Sequence, residues 1–343
     1  MDTAWRAILL DRKDMEKQDV LKVSNLVKYF KIKKGFLGRF SKKKQEYIYA
    51  VNDISFSVGE KEILGFIGES GCGKSTMSRS ILRLIEPSSG EILFNGEDLL
   101  ALNHEELREH RRFMQMIFQD PFGSLNPRRT VSETLRQTVR IHKLASTIAE
   151  EDKLIREAME EVELFPVEEY WDKFPALLSG GQQQRVSMGR VIILRPGFVI
   201  ADEPVSMLDV SVRIGVLKLL LKMKEKYNIS FIYITHDLST ARYVCDRIAI
   251  MYLGKIVEIG PTEEILANPK HPYTQALIHA VPDIDPTVKV KDIPIKGYVP
   301  VVPGESSNCS FHPRCPYADE RCSREIPKLK EAGESHEVAC FNR

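Results

Sequence analysis

Glu62-Ile-Leu-Gly-Phe-Ile-Gly68-Glu-Ser70-Gly71-Cys72-Gly73-Lys74-Ser75-Thr76 is the stretch on which the fold turns. The apolar run up to Gly68 reads as a buried strand, and Lys74 to Leu84 reads as a helix. Between them, Gly68 to Ser75 matches G-x-x-x-x-G-K-[ST] in the strand-to-helix setting that the motif requires. Glycines let successive backbone N–H groups turn inward as an anion nest, and the following helix start adds its dipole. Lys74 then neutralises the β and γ phosphates of a nucleotide, and Ser75 ligates Mg²⁺. A glycine turn that merely starts a helix needs no Lys followed by Ser in this register. The candidate ATP-binding residues are therefore Gly68, Ser70, Gly71, Cys72, Gly73, Lys74, Ser75 and Thr76, with Cys72 filling a position the motif leaves free.

Phe198-Val-Ile-Ala-Asp202-Glu203 reads as a second buried strand. It delivers two carboxylates to its C-terminal end, where ligands bind in parallel sheets. Asp202 is expected in the Mg²⁺ shell, and Glu203 beside the γ-phosphate, polarising the attacking water. Val20 to Phe30, two runs within Ala50 to Gly68, and Ile229 to Ile234 also read as strands, and Val210 to Tyr227 as a helix. Asn103 to Glu163 reads as mostly helical, and the carboxylates of Ile148 to Glu169 suggest an exposed helical subdomain. The class is α/β around a largely parallel sheet.

Composition marks the boundaries: a charged leader at 1–18, a folded unit at 19–281 with its helical subdomain at about 120–185, and a tail at 282–343. The tail opens on a Pro-, Val- and Lys-rich linker and ends in a cysteine-rich module. The basic stretch Lys31 to Lys44 reads as a loop, either a solvated insertion or a contact with a membrane surface or partner. With 43% hydrophobic residues among 343, the chain can bury a real core. Lys plus Arg number 49 against 48 Asp plus Glu, which leaves no electrostatic footprint for a nucleic-acid partner. No apolar stretch approaches the roughly 20 residues of a membrane helix, and Met1 to Lys17 is too charged for a signal peptide. The expectation is a soluble, cytoplasmic chain.

Leu178-Ser179-Gly180-Gly181-Gln182, followed by Gln-Gln-Arg185-Val, resembles the signature of ATP-binding cassette proteins. The resemblance implies a P-loop NTPase fold: a mostly parallel sheet core, an antiparallel β subdomain, a helical subdomain and, here, a short Cys-rich C-terminal extension. It implies that Ser179, Gly180, Gly181 and Gln182, at a helix start, act on ATP held by an opposite subunit. Gln119 resembles the glutamine that ligates Mg²⁺ and senses the transporter, and His236 the switch histidine at the γ-phosphate. Asp209, in Ser206-Met207-Leu-Asp209, resembles the loop that crosses between subunits. The resemblance also implies an aromatic that stacks on adenine; among Tyr29, Phe30, Tyr47 and Tyr49, Phe30 is the expected one.

Longer matches, Phe-Gln119-Asp-Pro-Phe-Gly-Ser-Leu-Asn-Pro-Arg and His271-Pro-Tyr-Thr-Gln-Ala-Leu, resemble the ATPases of oligopeptide and dipeptide importers, in the F-type form. Such chains pair with a D-type cassette as a heterodimer, and with two transmembrane permease subunits at the cytoplasmic face of the membrane. An extracytoplasmic solute-binding protein feeds the assembly. Two departures stand out: Met207 where many relatives have Ala, and Pro175-Ala-Leu-Leu where many have Pro-His-Glu-Leu. Neither touches a phosphate ligand. Cys309, Cys315, Cys322 and Cys340 lack the tight C-x-x-C knuckles of structural zinc. The resemblance implies a [4Fe-4S] cluster on them, with zinc, helped by His312 or His336, as the alternative. Cargo alternatives are oligosaccharides and nickel. Soluble cassette ATPases usually add a coiled coil or a second cassette, and this chain carries a single phosphate loop. A subunit of a carbon–phosphorus bond-cleaving complex is a further alternative.

Overall fold

Ile63–Ile67, Phe198–Asp202 and Ser230–Thr235 are buried at every residue, because each strand is covered on both faces. The structure, a computed structural model, describes residues 19–32, 46–280, 295, 304 and 306–342. The leader at 1–18, most of the basic stretch and most of the linker lie outside the described residues. In chain order the strands are β1 (Leu21–Lys31), β2 (Tyr47–Val58), β3 (Ile63–Ile67), β4 (Ser89–Phe94), β5 (Glu97–Asp98), β6 (Met114–Ile117), β7 (Phe198–Asp202), β8 (Ser230–Thr235), β9 (Arg247–Tyr252), β10 (Lys255–Pro261), β11 (Lys330–Gly333) and β12 (His336–Val338).

The main sheet runs β11-β12-β10-β9-β3-β8-β7-β6, with parallel pairing from β9 through β6 and antiparallel pairing from β9 outward to β11. Strand alternation sends Ile63, Phe231 and Tyr233 to one face, and Leu64, Phe66, Ile232 and Ile234 to the other, which divides the core into two layers. A second, antiparallel sheet, β2-β1-β4-β5, closes over the second layer.

The first layer is covered by helices. They are α1 (Lys74–Ile81), α2 (His104–Arg111), α3 (Pro121–Ser124), α4 (Val131–Ile141), α5 (Ile148–Glu161), α6 (Val167–Trp171), α7 (Gly180–Ile192), α8 (Val210–Tyr227), α9 (Leu238–Val244), α10 (Thr262–Ala267) and α11 (Pro272–His279), α1 lying toward the other layer and α2 beside β6. Thr130, Thr147 and Ser179 each start a helix through a reciprocal capping box with Glu133, Glu150 and Gln182. Glu151 on α5 accepts from Arg136 and Arg140 of α4, which ties the helical layer together.

Two readings of the sequence need correction. Met114–Ile117 is a parallel edge strand beside β7, not part of a helical run; four residues between charged segments are too short to show a period. The helix that follows the phosphate loop ends at Ile81, and Arg83 is left-handed (φ 48°).

The tail joins the sheet. β12 pairs with β10, Glu258 opposite Val338 and Ile259 opposite Glu337. At this seam Glu258, fully buried, accepts from the N–H groups of Lys270 (2.7 Å) and His271 (3.0 Å) and pairs with His336 Nε2 at 2.8 Å. His336 is thus engaged at the seam between β12 and β10 and not at the cysteines, which corrects its candidacy as a zinc ligand. His336→Ala leaves a buried carboxylate short of a partner, and a loss of about 3 kcal/mol is expected; equilibrium unfolding checks it, and a loss below about 1 kcal/mol would mean that the pair does not anchor the tail.

Candidate nucleotide site

The phosphate loop emerges from the C-terminal end of β3 and turns into α1, held by contacts that leave no room for side chains. A Cβ on Gly73 (φ 107°) would lie 1.9 Å from the carbonyl oxygen of Ala50, and one on Gly68 would lie 2.3 Å from that of Met251. Both positions demand glycine. Lys74, 5% exposed, donates from Nζ to the carbonyls of Gly68 (2.6 Å) and Glu69 (3.0 Å), inside the curl of the loop. Cys72 is buried beneath it and burial raises its thiol pKa, so it packs as a small apolar residue. Ser70, Gly71 and Thr76 complete the loop and the first turn.

Five chemically matched side chains converge next to the loop. Ser75 Oγ donates to Asp202 Oδ1 at 3.2 Å. Gln119 Nε2 donates to Glu203 Oε2 at 3.0 Å, and His236 Nδ1 lies 3.4 Å from the same oxygen. Ser75 comes from the first turn of α1 and the other four from the C-terminal ends of β6, β7 and β8, so four segments far apart in sequence meet at one side of the sheet. Glu203 holds a left-handed backbone (φ 46°), an uncommon conformation for a non-glycine residue and one that clusters at functional sites. Its N–H is fixed by the carbonyl of Ile234 at 2.9 Å. Burial raises the Asp202 carboxyl pKa above the ordinary range, Glu203 adds to the rise, and the bond from Ser75 opposes it.

The signature lies apart from this cluster. Among the described residues no hydrogen bond or ion pair joins Ser179, Gly180, Gly181 or Gln182 to the phosphate loop. Instead Ser179 caps α7, and Gly181 lies so close to α8 that a Cβ would meet Val212 at 2.3 Å. Asp209 stands at the N-cap of α8 without a side-chain capping bond, beside the exposed Met207. Among the aromatics, Tyr29, Tyr47 and Tyr49 cluster on one face of the β1–β2 pair, with ring centroids 5.0 and 5.4 Å from Tyr29. Strand alternation puts Phe30 on the opposite face, half exposed, with Lys28 Nζ 5.1 Å from its ring.

Two residues that the motifs did not single out reach the loop. Tyr273 Oη accepts the N–H of Glu69 at 3.0 Å, and Arg314 forms a two-pronged pair with the Glu69 carboxylate at 3.0 and 3.3 Å. Tyr273 lies within His271-Pro-Tyr-Thr-Gln-Ala-Leu, a run noted only as a family likeness; Arg314 had no pattern to betray it. Nearby, Cys309, Cys315, Cys322 and Cys340 line one small cavity with Phe311, His312, Tyr317 and Phe341. None of them is in a disulfide.

Residues 51–206 match the family model described as ABC transporter, and residues 257–322 match that described as oligopeptide/dipeptide transporter, C-terminal region. An oligopeptide transport ATP-binding protein, AppF of Bacillus subtilis, is 41% identical over 94% of this chain and 97% of its own. This chain belongs to the ATP-binding subunits of the oligopeptide and dipeptide ABC transporter family. The dipeptide transport ATP-binding protein DppF of Haemophilus influenzae is 37% identical over 95% of this chain and 98% of its own. Among solved structures, the ATP-binding cassette MJ0796, dimeric and bound to ADP and Pi in a post-hydrolysis state, is similar with TM-score 0.61 and 29% identity, covering 71% of this chain and 98% of that one.

In this ATP-binding subunit the buried Asp202 charge opposes folding. Because its folded-state pKa is raised, the stabilisation tied to its protonated form is lost as pH rises through that value. Asp202→Asn is therefore expected to raise the melting temperature of the nucleotide-free protein at pH 7, with a gain that shrinks as the pH falls; a lowered melting temperature at pH 7 would contradict a disfavoured charge.

Proposed function

We propose that this subunit works in a head-to-tail pair of cassettes whose ATP hydrolysis drives uptake of oligopeptides or dipeptides. The observation that carries the reading is the meeting of Gln119, Glu203 and His236 beside the phosphate loop, while the signature stands apart. A site split in this way is completed by the signature of an opposing cassette. The names of the relatives, oligopeptide and dipeptide transport ATP-binding proteins, supply the cargo class.

In the proposed division of labour, the loop N–H groups and Lys74 clamp the β and γ phosphates, and Phe30 stacks on the adenine. Ser75, Gln119 and Asp202 would hold Mg²⁺, which offsets the charge on the phosphoryl oxygens. Glu203 orients the attacking water and takes its proton, and His236 contacts the γ-phosphate. Ser179, Gly180, Gly181 and Gln182 close on the partner's ATP, and Asp209 belongs to the loop that crosses between subunits. A D-type cassette is the proposed partner, with two permease subunits at the cytoplasmic face of the membrane and a solute-binding protein beyond it. Exposed apolar surface near the signature, at Phe122 and Leu177 (56% and 69% accessible), supports a separate permease. No helix among the described residues is long and apolar enough to cross a membrane.

Cys309, Cys315, Cys322 and Cys340 would hold the [4Fe-4S] cluster, which as a four-thiolate centre would cross-link the tail. The shared cavity and the absence of disulfides support this. His312 Nδ1, buried there, has no hydrogen-bond partner. Among the described residues no three His, Cys, Asp or Glu side chains converge as around a single ion.

In the assembled importer, Glu203→Gln is expected to retain ATP binding and lose roughly 100-fold or more in turnover, trapping the closed pair; undiminished turnover would remove Glu203 from its role. Reconstituted with its permease, the native complex should show ATPase activity stimulated by peptides, and stimulation by oligosaccharides or nickel alone would reassign the cargo. Anaerobically purified protein should contain roughly four irons with matching sulfide, and the finding of neither would defeat the cluster assignment.

A further inference from the structure

Glu69 is the first variable residue of the phosphate loop, and all of its polar groups are engaged. Its N–H donates to Tyr273 Oη, and its carbonyl accepts from Lys74 Nζ at 3.0 Å and from the N–H of Cys72 at 3.3 Å. Its carboxylate is held by both terminal nitrogens of Arg314, at 3.0 and 3.3 Å. Arg314 is 245 residues further along the chain and its side chain is only 10% exposed. It is fixed in turn. Its N–H donates to the carbonyl of Phe311, and the fully buried Phe311 ring packs on Tyr252, Tyr273 and His271, with centroids 5.2 to 5.6 Å apart. Tyr273 and Arg314 therefore reach Glu69 from one packed aromatic cluster.

A carboxylate on a loop that must receive a polyanion is a liability unless a cation offsets it. We propose that Arg314, in the cysteine-rich tail, is a positioning residue of the nucleotide site, neutralising Glu69 and holding the loop in the shape that offers its N–H groups and Lys74 to ATP. The tail thereby becomes part of the ATP site. The two-pronged geometry suits the role, because a planar guanidinium fixes direction as well as charge.

The test is the affinity of the full-length subunit for Mg·ATP, together with KM and kcat of the assembled complex. Arg314→Gln keeps much of the stem and removes the charge; Kd and KM for ATP should rise about tenfold, while kcat falls by less than about threefold. Adding Glu69→Gln removes the orphaned carboxylate, and affinity should return to within about threefold of native. A tail that only supports folding would show no such rescue. If the single variant does not fold, the double variant, which has no unpaired charge at this place, decides alone: affinity within about threefold of native supports the proposal and a tenfold loss overturns it. Native KM in Arg314→Gln, or a double variant as weak as the single one, also overturns it. The proposal rests on the phosphate-loop reading, and Lys74→Ala separates the two. Unchanged ATP affinity in Lys74→Ala would sink that reading, whereas affinity lost there but native in Arg314→Gln would sink this proposal alone.

Discussion

Between Gly73 and the carbonyl oxygen of Ala50, and between Gly68 and that of Met251, there is no space for a methyl group. These two backbone approaches press the phosphate loop against β2 on one side and β9 on the other. The loop is consequently not a free turn at the head of a helix but a segment clamped between two sheets. Its shape depends on the antiparallel sheet that brings Ala50 and on the burial of β3 and β9 that brings Met251. A side chain at either glycine would move the loop, and with it Lys74 and Ser75.

The clamp also organises the charges. Lys74 is buried among loop carbonyls, Asp202 is buried and reluctant to ionise, and Glu203 is held in a left-handed conformation by a backbone bond to β8. Each of these is costly in isolation. Together they concentrate these costs at the ends of rigid parallel strands. Gln119, in the segment between β6 and α3, is tied to Glu203 by one hydrogen bond.

The central strands were legible because burial on both faces writes itself as an unbroken apolar run, as in Phe198–Asp202. The α8 helix, Val210–Tyr227, agreed at both ends, where Asp209 opens it and a left-handed Asn228 closes it. Met114–Ile117 was hidden, because an edge strand of four residues shows no period. The hairpin of β11 and β12 was hidden too. Its pairing with β10 depends on Glu258 and His336 meeting 78 residues apart, and no local pattern encodes that. The adenine aromatic was ambiguous in the sequence, and the strand pairing separates the three tyrosines from Phe30 by face.

By itself the sequence determined the local motifs: a phosphate loop, two strand-end carboxylates and a signature, because nucleotide binding needs those residue types at fixed local spacing, and beside them four clustered cysteines. Tertiary structure alone decided which of them share a site. It joined Gln119, Glu203 and His236, left the signature apart, and brought Arg314 to Glu69. Local spacing can specify what a strand or turn will bind, but the meeting of distant charges is set by how the sheet orders its strands and by which buried groups must find a partner.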